Sequence, residues 1–195
     1  MSLLLSMAAF ALAASISPGP VNIVALSSGA QYGFRPAMRH VTGATVGFTL
    51  LLILIGMGLN KLLANWPWLT DTIRLSGVAF LLCMAYRLAI NTGELSTKTV
   101  GVQPSLIYGA TMQWLNPKAW IASMAGMAAF AESGQALHVW RFAAVYFIVC
   151  YGSVTCWAYA GSYLGHYLNE PRRMRLFNRT MAALLAGCAM YLLSA

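Results

Sequence analysis

Two short segments place polar and helix-breaking residues inside an otherwise apolar chain. They are Ser17-Pro18-Gly19-Pro20, followed by Asn22, and Gln113 with Asn116-Pro117-Lys118. Proline removes a helical hydrogen bond and clashes with the preceding turn, so two prolines around a glycine predict local unwinding in place of a simple bend. A helix broken in this way leaves N–H groups at the start of the following half, with partial positive charge, and free carbonyls at the end of the preceding half. The first can hold a carboxylate and the second can accept from an ammonium group. The chemistry suited to such a site is recognition of a zwitterion, with the amides of Asn22, Gln113 and Asn116 as neutral donors and acceptors. The candidate substrate-binding residues are therefore Pro18, Gly19, Pro20, Asn22, Gln113, Asn116, Pro117 and Lys118.

Lys118 admits two roles. A cation well inside an apolar run is expensive, and such residues face a water-filled cavity or a partner. Alternatively, the long stem carries the ammonium to an interface or to a carbonyl of a broken helix. No carboxylate shares its depth, since Asp71, Glu94, Glu132 and Glu170 all fall in connections or at the ends of apolar runs. Proton coupling would then rest on Lys118 itself, on His40 at the mouth of the second run, or on Asp71, and a uniporter remains open. His138 and His166 read as solvated histidines near interfaces. Other chemistries lack their residues. The cysteines Cys83, Cys150, Cys156 and Cys188 form no C-x-x-C pair and have no histidine at ligand spacing, so neither a metal nor a cofactor is expected. H-E-x-x-H, G-x-S-x-G and a buried acidic pair are missing, which argues against an intramembrane hydrolase.

The elements that must position these groups follow from composition. Of 195 residues, 59% are hydrophobic and 8% charged, too few charges to coat a soluble globule of this size. Apolar runs extend over 3–30, 38–60, 72–90, 105–131, 140–164 and 174–193. Each is far too long for a barrel strand and must satisfy its own backbone, so the expected fold is an all-α integral membrane protein with six transmembrane helices. The stretch Met1 to Pro20 lacks a basic n-region and reads as a retained span. The first and fourth runs hold 28 and 27 residues. Such a run is roughly 40 Å of helix against a hydrocarbon core of about 30 Å, and a break relieves the excess. Trp66, Trp68, Trp140, Tyr163 and Tyr167 read as an interfacial belt. Gly29 with Gly33, Gly43 with Gly47, and Gly161 with Gly165 predict close helix packing.

Three spans per half with interruptions at corresponding places predict an inverted 3+3 repeat, residues about 1–98 and 99–195, within one membrane domain. Apart from the interruptions the halves share little residue-level similarity. The formal charge of +8 does not form a nucleic-acid patch, because Arg35, Arg39, Arg87, Lys98, Arg172, Arg173, Arg175 and Arg179 are distributed between apolar runs. Those eight fall on one side of the predicted topology and Lys61, Arg74 and Arg141 on the other, which places both termini outside. The partners implied are a small zwitterionic substrate and the lipid bilayer, and a homo-oligomer is compatible with the sequence.

The chain also resembles the LysE/RhtB family of amino-acid exporters over essentially its whole length. The likeness lies in Ser17-Pro18-Gly19-Pro20-Val21-Asn22, Gly33-Phe34-Arg35-Pro36-Ala37, Gly43 and Gly47, Leu75-Ser76-Gly77-Val78-Ala79-Phe80-Leu81 with Tyr86-Arg87, and Leu115-Asn116-Pro117-Lys118-Ala119. Asn22 to Ser28 and Tyr32 to Arg35 are most similar to the branch that exports cysteine and O-acetylserine. The resemblance implies a bacterial inner-membrane exporter of amino acids or small derivatives, driven by the proton motive force. It also implies functional weight at Pro18, Gly19, Pro20, Asn22, Asn116, Pro117 and Lys118, with Val21 standing where many members are polar. The competing reading is a transmembrane thiol-redox electron conductor. It needs approaching cysteines, yet none flanks Pro18 or Pro117, and Cys150 and Cys156 fall on different helix faces.

Overall fold

The computed structural model describes residues 3–59, 67–90, 104–131, 136–168 and 170–194. Lys61, Trp66, Glu94, Lys98 and Glu132, invoked above, lie outside the described residues, as does the side chain of Arg74. All regular structure among the described residues is helical: α1 (Leu3–Ile16), α2 (Pro20–Tyr32), α3 (Phe34–Gly56), α4 (Pro67–Ala89), α5 (Leu106–Trp114), α6 (Pro117–Phe130), α7 (Ala136–Gly165) and α8 (Pro171–Ser194).

Both expected breaks are present. α1 and α2 meet at 63° across Ser17 to Gly19, and Pro20 opens α2, where its missing N–H costs nothing. Pro117 opens α6 in the same way, after Leu115 and Asn116. By length and composition α3 and α7 are each able to cross a membrane, and the bent α1–α2 pair would be a third span. The remaining helices do not meet that measure alone. α5 and α6 have only 9 and 14 residues, and α8 opens on Arg172, Arg173 and Arg175.

α3 begins at Phe34, four residues before the apolar run, because Gly33 turns the chain sharply enough for a new helix to start at once. Gly33 has φ +83°, a left-handed conformation that side chains disfavour, and nothing lies near the Cβ it lacks. Its pairing with Gly29 is thus not a packing motif. The other glycine pairs are. Gly161 of α7 meets the backbone of Leu26 in α2, and Gly29 reciprocally meets Ala158 and Ser162. Gly43 of α3 meets the backbone of Leu106 in α5, and Gly109 meets His40 and Ala44. Each half's broken helix thus lies along the second helix of the other half, while α4 packs on α8.

Between these seams sits an aromatic core. Phe48 of α3 stacks on Tyr146 of α7 with centroids 4.4 Å apart, and Phe142 meets Tyr146 edge-on at 5.6 Å. The outer surface is apolar, with Leu4, Leu50, Ile107, Ile148 and Met190 all exposed, as lipid contact requires.

Candidate functional site

The two breaks come together. Lys118, on the first turn of α6, reaches across to the end of α1, where its Nζ donates to the Ser17 carbonyl at 2.9 Å, the Ser17 Oγ at 2.8 Å and the Pro18 carbonyl at 3.3 Å. All three ammonium protons are thereby used. Asn22 Nδ2 folds back from α2 and donates to the carbonyls of Ser15 at 2.8 Å and Ser17 at 2.9 Å. Trp157 Nε1 of α7 donates to the Ile16 carbonyl at 3.1 Å, and Ser17 Oγ donates to the Ala14 carbonyl at 3.2 Å. Every carbonyl from Ala14 to Pro18 therefore has a donor from a side chain of the protein itself. Ser17, Asn22, Trp157 and Lys118 thus already donate to the carbonyls at this helix end, which leaves a substrate ammonium at most their second lone pairs. Lys118 thus caps the negative end of α1, and it also borders the cavity described below.

The second break is capped more economically. Asn116 Oδ1 accepts from the Lys118 backbone N–H at 3.2 Å, its Nδ2 lies 3.5 Å from Gln113 Oε1, and Trp120 Nε1 donates to the Trp114 carbonyl at 2.8 Å. Gly77 of α4 abuts the Leu115 carbonyl, so the third apolar run also supports this break.

The start of α2 is different. Its N-cap is Gly19, which has no side chain to offer, and no side-chain cap bond is formed. Gly19, Val21 and Asn22 border a small cavity, open at its mouth, together with Gln113, Asn116 and Lys118. The wall is completed by Ala14 and Ser15 of α1, Phe48 of α3, Ala119 and Ala122 of α6, and Tyr146, Cys150 and Val154 of α7. An uncapped helix start beside an ammonium is an anion site in the making. Among the described residues, none that lines the cavity is acidic.

Of the residues expected from sequence, Gly19, Asn22, Gln113, Asn116 and Lys118 line this cavity. Pro18, Pro20 and Pro117 shape the breaks without lining it. His40 is fully buried, not at a mouth. Its Nε2 lies 3.3 Å from the Val21 carbonyl and its Nδ1 has no partner. Since a carbonyl only accepts, Nε2 carries the proton in that contact. Sequence reasoning missed Ser15, Phe48, Tyr146 and Cys150. Ser15 could have been found as a hydroxyl two residues before the first break, whereas the other three sit in apolar runs with no pattern of their own.

A family model described as LysE type translocator matches residues 12–195. The chain belongs to the LysE type translocator family. This translocator is a membrane transport protein and not an enzyme, which sets aside the thiol-redox reading, and all four of its cysteines are free. It is 28% identical over 186 residues to a cysteine/O-acetylserine efflux protein of Klebsiella pneumoniae, covering 92% of this chain and 91% of that one. It is 25% identical over 185 residues to a cysteine/O-acetylserine efflux protein of Escherichia coli, covering 92% of each chain. No solved structure matches the translocator.

Proposed function

We propose that the translocator is a secondary exporter of amino acids or small amino-acid derivatives, of the cysteine and O-acetylserine kind named for its relatives. The observation that carries this reading is the convergence of both helix breaks on one cavity, tied by Lys118 to Ser17 and Pro18. The substrate carboxylate lies against the uncapped start of α2 at Val21 and Asn22, beside the Lys118 ammonium. The substrate ammonium turns to the side-chain oxygens of Gln113, Asn116 and Asn22, which border the same cavity.

Six spans are counted by taking α1–α2 and α5–α6 as one broken span each, beside α3, α4, α7 and α8. The exchanged packing, α2 on α7, α5 on α3 and α4 on α8, supports an inverted repeat of residues about 1–98 and 99–195 in one domain. In that topology α2 and α5 share one side of the bilayer, where the glycine seams close the halves together, and the cavity extends toward α1 and α6 on the other. Rocking of the halves would reverse this arrangement. The protein resides in the bacterial inner membrane with both termini outside, and the proton motive force drives it.

Asn116→Ala tests the site. Proteoliposomes carrying the variant should export labelled cysteine or O-acetylserine about tenfold more slowly than wild type, at an unchanged amount of inserted protein, since a cap and a substrate contact are lost together. Normal export would overturn the assignment. An uncoupler should abolish net export from cells, and undiminished export would remove the proton coupling.

A further inference from the structure

We propose that Ser15, Tyr146 and Cys150, backed by Thr45, form a subsite for the substrate's side chain, selecting short, neutral side chains that carry a hydrogen-bonding oxygen or sulfur. The inference rests on the export reading above and deepens it. Ser15 is 8% exposed and Thr45 fully buried, and the hydroxyl of each lacks a hydrogen-bond partner. A buried polar atom without a partner costs free energy that a structure tolerates where a ligand supplies the bond. The polar groups of Ser15, Tyr146 and Cys150 neighbour one another, and Thr45 neighbours the same thiol. Ser15, Tyr146 and Cys150 all line the cavity, which places this cluster on the same space as Gly19, Asn22 and Lys118.

The cluster is held in place from behind. Asn22 pins the Ser15 carbonyl at 2.8 Å, and Phe48 and Phe142 clamp the Tyr146 ring from its face and edge. Fixed hydroxyls both donate and accept, so they suit a hydroxyl, a thiol or an ester carbonyl equally. They do not suit a cationic side chain, because none of the described residues in the lining offers a carboxylate to meet it. Nor do they favour a purely aliphatic one, which would leave both hydroxyls unpaired while filling the space where a partner must sit.

Selectivity is the test. Wild-type proteoliposomes should export serine, cysteine and O-acetylserine in preference to alanine, valine and lysine supplied at equal concentration. Ser15→Ala and Tyr146→Phe should each reduce the serine-to-alanine and cysteine-to-alanine rate ratios by about fivefold, the worth of one neutral hydrogen bond. Ser15→Ala removes an unpaired buried hydroxyl, so its thermal unfolding in detergent should come no earlier than that of wild type, which separates a lost contact from a damaged fold. Ratios unchanged in both variants, in a wild type that exports these amino acids, would overturn the subsite and leave the export reading standing. A wild type that prefers alanine, valine or lysine would do the same. If wild type moves none of the six, the export reading itself fails.

Discussion

At the scale of single residues, the first break is held by side chains that look dispensable in a list of polar residues. Asn22 donates twice to the backbone at the break, to the Ser15 carbonyl and to the Ser17 carbonyl that it shares with Lys118. Asn22→Ala should destabilise the protein by about 1–3 kcal/mol, read as an earlier unfolding midpoint in detergent. Asn22→Asp should be no better, although it is the closer isostere, because a carboxylate would face two carbonyl oxygens with nothing to donate. Lys118→Met removes the donor from the Pro18 carbonyl and the counter-charge from the end of α1, so transport should fall by about tenfold or more. Lys118→Arg keeps the charge and should retain more activity than the methionine variant. Asn22, Gln113, Asn116 and Lys118 were legible in the sequence because polar groups beside prolines in apolar runs are costly and therefore conspicuous. What those groups do was less legible. The bond from Lys118 to Ser17 joins residues 101 apart in sequence, and no local spacing announces it.

At the scale of elements, lipid changes what holds helices together. Burying a leucine against another helix gains little when hydrocarbon is the alternative, so close backbone approach carries more of the association. Gly161→Ala would drive a Cβ into the Leu26 carbonyl, and parting α2 from α7 should cost about 1–3 kcal/mol. On the same helix Gly152 has nothing within 4 Å of its absent Cβ, so Gly152→Ala should be neutral or stabilising by up to about 1 kcal/mol. Thermal unfolding of the two variants side by side checks the contrast. The four-residue spacing identified two of the three glycine pairs correctly and misread Gly29 with Gly33, since spacing alone does not distinguish a seam from a turn. Reciprocity is the better guide: Gly29 finds its true counterpart in Gly161, on another helix.

At the scale of the whole molecule, the apolar runs gave the helical class and both breaks, because a membrane leaves the backbone few alternatives. The packing of α2 on α7 and of α5 on α3 was not legible, since it joins segments far apart in the chain. If both ends of the chain are outside, a tag before α1 or after α8 should be cleaved by protease added to intact spheroplasts, and protection of both tags would reverse the topology. The lining of the cavity also bears on energetics. Among the described residues that line it Lys118 is the one that is charged, and the zwitterion proposed above brings no net charge, so filling the pocket would leave its total unchanged. Voltage does about 2.3 kcal/mol of work on each elementary charge carried through 100 mV, and none on cargo that is neutral overall. If the cargo is the amino acid proposed above and an ion travels with it, any electrical current recorded during turnover would count that ion alone, giving its stoichiometry without a correction for the amino acid.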